Sequence, residues 1–485
     1  MGTVGRNPGR SLVLVALCAT LLATGGQALA GGFEVPDNGA RAVGRGGANT
    51  VGVKDLTALQ YNPGAIARLR GSRVMWHHNL VFHGTSFQRA PLGEGWGAQA
   101  GTTFEKVEDG ESFFGLGGFV ALSLDLGDFS KKAEDWSVAV GIYGPSAVGK
   151  HDYPDYGPQS FMLTKTDLIL VYYSLAVAWE VPKKFGVGVT MQVADLNRMR
   201  YGLVVDSSAV TGISALKPVP DEASDQLITE LDLHDHFAPT AIIGMWWRPI
   251  PNLELGVSAR VIPIHLEPEG GVRVDKESLI TDALHAKLTL DLPPIVRAGL
   301  RYVKMDGDRE VFDVEADVVW EGWSSIDEYR IDLDGEIAGQ TVSQIVIDKA
   351  WKDTVSVRVG GDWNVVPNRL TVRAGGFWES AAAPTNYTHL DFPSFQRFGV
   401  GAGLTWDVSR RVSLTASYMH VFQEDRDISE DFAKQYQERP LRPCPADCGG
   451  SEGVPANAGH FESHFDTLSL GLDIQFGQLL RHGQD

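Results

Sequence analysis

The chain of 485 residues carries 42 Lys and Arg against 61 Asp and Glu, a formal charge of -19, with 43% hydrophobic and 21% charged residues. An acid excess of this size excludes nucleic-acid binding built on phosphate neutralisation. The apolar content excludes a disordered chain, and 55 glycines without a strict Gly-X-Y period exclude a collagen-like one.

At the N-terminus, Arg6 and Arg10 precede the apolar run Ser11 to Thr24, and Ala28-Leu29-Ala30 supplies a small-residue cleavage site. This pattern predicts a cleaved signal peptide over 1–30 and a mature chain beginning at Gly31. Cys18 follows the bulky Leu17, so no lipid anchor is expected. No later segment offers the ~18 uninterrupted apolar residues of a membrane helix. An exported chain of this kind is soluble or a closed β-barrel, the one strand architecture that satisfies every backbone group in lipid.

The next elements have a two-residue period. Ile169, Val171, Tyr173, Leu175, Val177 and Trp179 form one face, with Ser174, Ala176, Ala178 and Glu180 on the other. Phe398, Val400, Ala402, Leu404 and Trp406 alternate with Gly399, Gly401, Gly403, Thr405 and Asp407. Such sustained alternation predicts strands. They fall near 73–88, 113–126, 136–144, 160–181, 185–204, 237–248, 253–274, 283–303, 310–331, 354–365, 369–379, 394–407, 411–424 and 461–476. Short connections (181–184, 248–252, 304–308, 366–368, 407–411) alternate with long ones (206–236, 267–281, 423–460), as in outer-membrane barrels with short periplasmic turns. Trp179, Trp247, Tyr302, Trp363 and Trp406 each precede a short turn and are expected to form an interfacial girdle. The predicted fold is all-β, a 14-stranded antiparallel transmembrane β-barrel over 73–476 with a short periplasmic tail, 477–485.

A barrel this wide needs a channel or a plug. The glycine-rich stretch 31–72, ahead of the first strand, is the candidate plug, too short to be a domain of its own. Gly32-Phe33, the Gly44-Arg45 step, Asn62-Pro63, the exported context and the strand count together resemble the FadL-type outer-membrane transporters of long-chain fatty acids and other hydrophobic compounds. The resemblance covers essentially the whole mature chain, including Leu292-Pro293 and Arg397-Phe398. It implies an N-terminal hatch inside the lumen, whose Asn-Pro-Ala element is matched here by Asn62, Pro63 and Gly64, with glycine where alanine is usual. It also implies a kink in the third strand that opens a lateral gap, matched best by Gly144 and Pro145. The bland reading of Gly144-Pro145 is an ordinary loop start.

Parity along the eighth and ninth strands turns Arg297 and Arg301, and Asp313, Glu315, Asp317 and Glu321, toward the lumen. A turn centred on Gly307 would pair Arg301 with Asp313 and Arg297 with Asp317 across the hairpin. Arg358 and Arg373 also fall inward. These charges read as a ladder that satisfies the interior and anchors the plug; the alternative is an arginine that meets a substrate carboxylate. Ile213, Leu216, Leu227 and Ile228, in long loops, are candidates for ligand capture. Cys444 and Cys448 read as a small-loop disulfide.

No metal centre is expected: His234-Asp235-His236 reads as a solvated loop, and Asp332, Asp334 and Gly335 lack the remaining ligands of a calcium loop. Gly144 to Gly149 lacks the Gly-x-Ser-x-Gly spacing of a hydrolase elbow. The sequence thus points to a passive transporter rather than an enzyme, with no cofactor. The expected partners are a hydrophobic small molecule, outer-membrane lipid and lipopolysaccharide and the barrel-assembly machinery; nucleic acid is not one, and the chain is expected to be a monomer. A general diffusion porin and an outer-membrane lipid hydrolase are the competing readings.

Overall fold

The computed structural model describes residues 38–94, 99–109, 118–145, 150–206, 226–280, 283–337, 339–342, 344–437 and 455–476. The expected signal peptide and tail, Ile213, Leu216, Cys444 and Cys448 lie outside these residues.

Fourteen strands form the wall: β1 (Arg73–Arg89), β2 (Gly118–Asp125), β3 (Trp136–Tyr143), β4 (Lys165–Val181), β5 (Phe185–Asp206), β6 (Gln226–Ile250), β7 (Leu253–Ile262), β8 (Ile295–Asp306), β9 (Arg309–Glu321), β10 (Thr354–Val366), β11 (Leu370–Glu379), β12 (Arg397–Asp407), β13 (Val412–Gln423) and β14 (Gly459–Gln475). Each pairs antiparallel with the next. β14 then pairs with β1 from Arg73↔Gln475 to Arg89↔Gly459, which closes the ring. Closure leaves no edge strand with unpaired backbone groups, the condition for a β structure in lipid. Among the described residues, no helix is long and apolar enough to cross a membrane.

Alternation decides which face meets lipid. Leu300, Val314, Val318, Val357, Val359, Val400 and Leu468 are exposed on the outside, while Arg301, Glu315, Asp317, Arg358 and Ser469 on the same strands are buried inside. Trp247, Tyr302, Trp363 and Trp406 are 48%, 46%, 57% and 51% exposed, beside the short turns. Trp179 pairs with Trp136, their rings 6.4 Å apart. Both belong to the same end of the barrel. Gly307 takes φ 63° in the two-residue turn between β8 and β9, where a positive φ is required.

Three strands expected to be continuous are divided. Proline interrupts two of them, because it cannot donate to a ladder. Pro263 and Pro268 divide the seventh into β7 and short outer strands at Ile264–Leu266 and Glu269–Val274; Pro293-Pro294 separates Leu284–Leu292 from β8. Gly322 and the 3-10 turn Trp323–Ser325 divide the ninth from Glu328–Asp334. Conversely, residues 226–236, expected in a loop, belong to β6, where Glu269 pairs with His234 and Val274 with Thr229. The short strands thus extend the wall outward. Their inner faces bury Leu231, Leu233, Leu266, Leu288, Ile331 and Ile345 in one apolar core.

An ion cluster ties the outer loops together. Lys349 Nζ lies 2.6 Å from Asp391 Oδ2, and His389 Nδ1 lies 2.8 Å from Asp391 Oδ1. Tyr201 donates its hydroxyl to the same carboxylate at 3.3 Å, and Lys349 sits 4.6 Å over the Tyr329 ring. Burial alone would raise the Asp391 carboxyl, but His389 and Lys349 outweigh it and hold the group well below the usual carboxylate range. Burial pushes the His389 imidazole down.

Two predictions follow from these positions. Leu300→Arg, which places a charge on the lipid face, is expected to cost about 2–4 kcal/mol if it sits at the bilayer midplane, measured by urea unfolding in lipid vesicles. Asp391→Asn strands the buried Lys349 and is expected to cost about 3–5 kcal/mol. Because the folded-state values of both Asp391 and His389 are depressed, the wild-type contribution is intact above about pH 6.5 and is lost as pH falls, first through His389 and then, below about 4, through Asp391. A heat-modifiability midpoint that fails to drop between pH 7 and 4 would contradict this.

Candidate functional site

The segment before β1 is short, glycine-rich and buried inside the ring. Helix α1 (Ala40–Gly44) and helix α2 (Ala58–Tyr61) are followed by a 3-10 turn, Pro63–Arg68. Helices of five and four residues do not stand on their own, so the segment depends on the wall for its stability.

The wall offers carboxylates. Arg45, fully buried, lies between Asp313 (2.8 Å) and Glu315 (2.7 Å) of β9 and Asp362 of β10 (3.1 Å), and its Nε donates to the Ala48 carbonyl. Arg41 reaches Asp362 at 2.7 Å and Asn49 Oδ1 at 2.6 Å. Backbone amides complete the set: Asn49 and Thr50 both donate to Asp317 at 2.9 Å, and Val51 donates to Glu315 at 2.7 Å. Arg301 answers the remaining acids, bridging Glu254, Glu310 and Asp313 at 2.7–2.9 Å. Lys54 reaches Glu310 at 2.5 Å, and Arg68 reaches Glu254 at 3.5 Å.

The expected ladder therefore has different partners. β8 and β9 pair as Arg301↔Glu315 and Gly299↔Asp317, two residues away from the register centred on Gly307. The two-residue turn Gly307-Asp308 supplies one residue of this offset and the register shift between Lys304 and Met305 the other, and a two-residue slip leaves every side chain on its expected face. Arg301 still reaches Asp313 diagonally. Arg297 instead lies 5.7 Å from the Tyr61 ring, over the segment, while Asp317 holds the Asn49 and Thr50 amides. Arg373 approaches Asp362 at 3.2 Å and Thr405 at 2.6 Å. Arg358 lies nearer the outside, 3.6 Å from Glu379. Asp362, Glu254 and Glu310 escaped the sequence reading, although Asp362 shares the inward parity of Arg358.

Asn62, Pro63 and Gly64 sit against bare wall. Asn62 Oδ1 accepts from the Gly64 N–H at 3.1 Å, and its Nδ2 donates to the Thr50 and Met245 carbonyls at 2.9 and 3.0 Å. Pro63 fills the first position of the turn, where a missing N–H costs nothing. A Cβ at Gly64 would lie 2.7 Å from the Gly244 carbonyl oxygen and 3.0 Å from that of Gly186. Glycine is required by this close backbone approach, which explains the departure from alanine. Gly401 likewise admits the Val43 carbonyl, and Gly375 that of Arg45.

Gly144 and Pro145 follow the end of β3. The ladder between β3 and β4 stops at Tyr143↔Tyr172 and resumes at Lys150↔Asp167, so residues 168–171 of β4 have no partner on that side among the described residues. Asn38 donates to the Gly144 carbonyl at 2.7 Å, linking the segment to this break. Leu227 is buried and Ile228 half-buried, both in β6 rather than in a loop. His234 and His236 are exposed on β6, and His236 bonds Asp195 at 2.9 Å. A cavity of about 370 Å³ lies beneath the segment at the periplasmic end, lined by Lys54, Arg68, Glu180, Trp246, Glu254 and Glu310 among others.

A family profile described as outer membrane protein transport protein (OMPP1/FadL/TodX) matches residues 21–443. No curated protein matches the sequence. Among solved structures, a Pseudomonas aeruginosa FadL homologue superposes with a TM-score of 0.69 at 15% identity, covering 92% of this chain and 100% of that one. The P. putida toluene transporter TodX gives 0.64 at 13%, covering 90% and 98%, and the Ralstonia pickettii toluene transporter TbuX gives 0.59 at 10%, covering 90% and 98%. At these identities the likeness shows the fold. With the profile match over most of its length, the chain belongs to the FadL/TodX family of outer-membrane transport proteins.

Proposed function

We propose that this protein takes up hydrophobic small molecules across the outer membrane by passive, ligand-gated diffusion, with residues 38–72 as the hatch. One observation carries the reading: the lumen is divided into an apolar outer half and an ion-sealed floor. Leu227, Leu231, Leu266, Leu288, Ile331 and Phe395 pack the outer half as an apolar core, a surrounding that favours a cargo without charge by about 25 cal/mol for each Å² of its own apolar surface withdrawn from water. Below it, Arg41 and Arg45 hold the hatch to β9 and β10. A sugar or ion would have to cross both. The cargo classes suited to such a path are long-chain fatty acids and monoaromatic hydrocarbons, the latter in keeping with the similarity to the toluene transporters TodX and TbuX.

In this scheme the cargo is collected by the outer loops, with Ile213 and Leu216 among the apolar contacts, and passes to Leu227 and Ile228 of β6. Movement of the hatch around Asn62, Pro63 and Gly64 releases it. The break after Gly144-Pro145 supplies a sideways exit, and Asn38 couples hatch position to that break. The protein acts as a monomer, inserted by the barrel-assembly machinery after removal of a signal peptide, in contact with lipopolysaccharide. No residue cluster is assigned a catalytic role, and no cofactor enters the scheme.

Proteoliposomes containing the intact protein are expected to admit toluene or oleate faster than empty vesicles while showing no osmotic swelling in sugars. Brisk sugar flux would instead establish a diffusion porin, and hydrophobic uptake no faster than in empty vesicles would overturn the proposal. Arg45→Ala leaves Asp313, Glu315 and Asp362 without their shared cation, at a cost of about 3–5 kcal/mol. Sugar permeability is expected to rise in this variant, and limited proteolysis is expected to cut between residues 38 and 70. If the variant remained as tight as wild type, Arg45 would not anchor the hatch.

A further inference from the structure

A second polar cluster lies apart from the Arg45 cage, toward the outer end of β1. His83 projects from β1, Asp109 follows the short strand Val107–Glu108 that pairs with Phe87 and Ser86, and His151 is the central residue of Lys150–Asp152, paired with β4. The three side chains are 3%, 0% and 7% exposed. Asp109 Oδ2 lies 2.6 Å from His151 Nδ1 and 3.4 Å from His83 Nδ1, and the two imidazole centroids are 4.7 Å apart. One nitrogen from each ring and one Asp109 oxygen all lie within 4.8 Å of one another.

Two further features go beyond a buried His–Asp pair. Asp109 is held from behind: its Oδ1 accepts from the Asp152 N–H at 3.2 Å, and its own N–H donates to the Thr85 carbonyl at 2.9 Å. Outer contacts of this kind orient metal-ligating carboxylates. His83, in contrast, makes no hydrogen bond of good geometry through either ring nitrogen, although the Lys150 backbone lies close to it. A buried imidazole left in this state costs free energy that a Lewis acid would recover.

We propose that His83, Asp109 and His151 form a binding site for a borderline divalent transition-metal ion, with Zn²⁺ as the representative case. In a tetrahedral site with bonds of about 2.0–2.1 Å, ligand atoms stand about 3.3 Å apart. The His83–Asp109 separation already has this value; His151 reaches it by giving up its direct hydrogen bond to Asp109. Two imidazoles and one carboxylate suit zinc, nickel or copper far better than calcium or magnesium, which take oxygen. The fourth position is left to water. The bound ion joins β1 to Lys150–Asp152 and, through its pairing, to β4. The sequence reading expected no metal centre, because nothing in it brought any two of these residues together.

The test uses untagged full-length protein in detergent, stripped with a chelator and titrated with ZnCl₂ by calorimetry. One ion per chain at micromolar affinity or tighter is expected, with His83→Gln and His151→Gln each weakening it at least tenfold and His460→Gln, whose half-buried ring bonds Asp427 instead, leaving it unchanged. X-ray absorption at the zinc edge on the wild-type protein is expected to show two imidazoles and an oxygen ligand, a readout independent of how the variants fold. Substoichiometric binding, fewer than two imidazoles in the first coordination sphere, or undiminished affinity in correctly folded His83→Gln and His151→Gln proteins would overturn the proposal.

Discussion

Carboxylates crowded on one side of a lumen repel one another unless a cation stands among them, and in this protein the cation comes from another part of the chain. Asp313, Glu315 and Asp362 share the guanidinium of Arg45 at 2.7–3.1 Å, with the wall's own Arg301 and Arg373 reinforcing Asp313 and Asp362. Charges withdrawn from water are tolerated only when paired and hydrogen-bonded. Wall and segment are therefore each incomplete alone. The wall has an excess of acid, and the segment has amides at 49–52 and arginines at 41 and 45 with few partners of its own.

The same division organises the rest of the interior. Below, polar groups and inward glycines let the two backbones touch; above, proline-bounded strands lengthen the wall and bury leucine and isoleucine. The outer half is held by packing and by the Lys349–Asp391–His389 cluster, the lower half by the Arg45 cage. Under the proposed function these are successive environments for one cargo, solvent-like for an alkyl or aryl group first and closed to it next.

Much of this was legible in the sequence, for a specific reason. Period-two alternation depends only on which face meets lipid, so strand number, inward charges and outward aromatics could be read without knowing any partner. Register could not, because a slip of two residues preserves every face, and the shift near Met305 has no signature in composition. The partners of Arg45 lie about 270 positions away, beyond any local pattern. Gly64 looked like a departure from the family, and only the Gly244 and Gly186 carbonyls opposite show it to be a steric necessity. The proline boundaries were visible as residues, but alternation continued across them and masked the breaks.

The seam between β1 and β14 runs unbroken from Arg73 to Arg89, and it imposes an order on biogenesis. Its two strands are the first and the fourteenth of the wall, so the first must wait, unsealed, until the fourteenth has been laid against it. A charged peptide does not thread through a finished wall; it has to be seated while the cylinder is still open. Closure thus traps residues 38–72 as cooperage traps a barrel's contents, with the final stave.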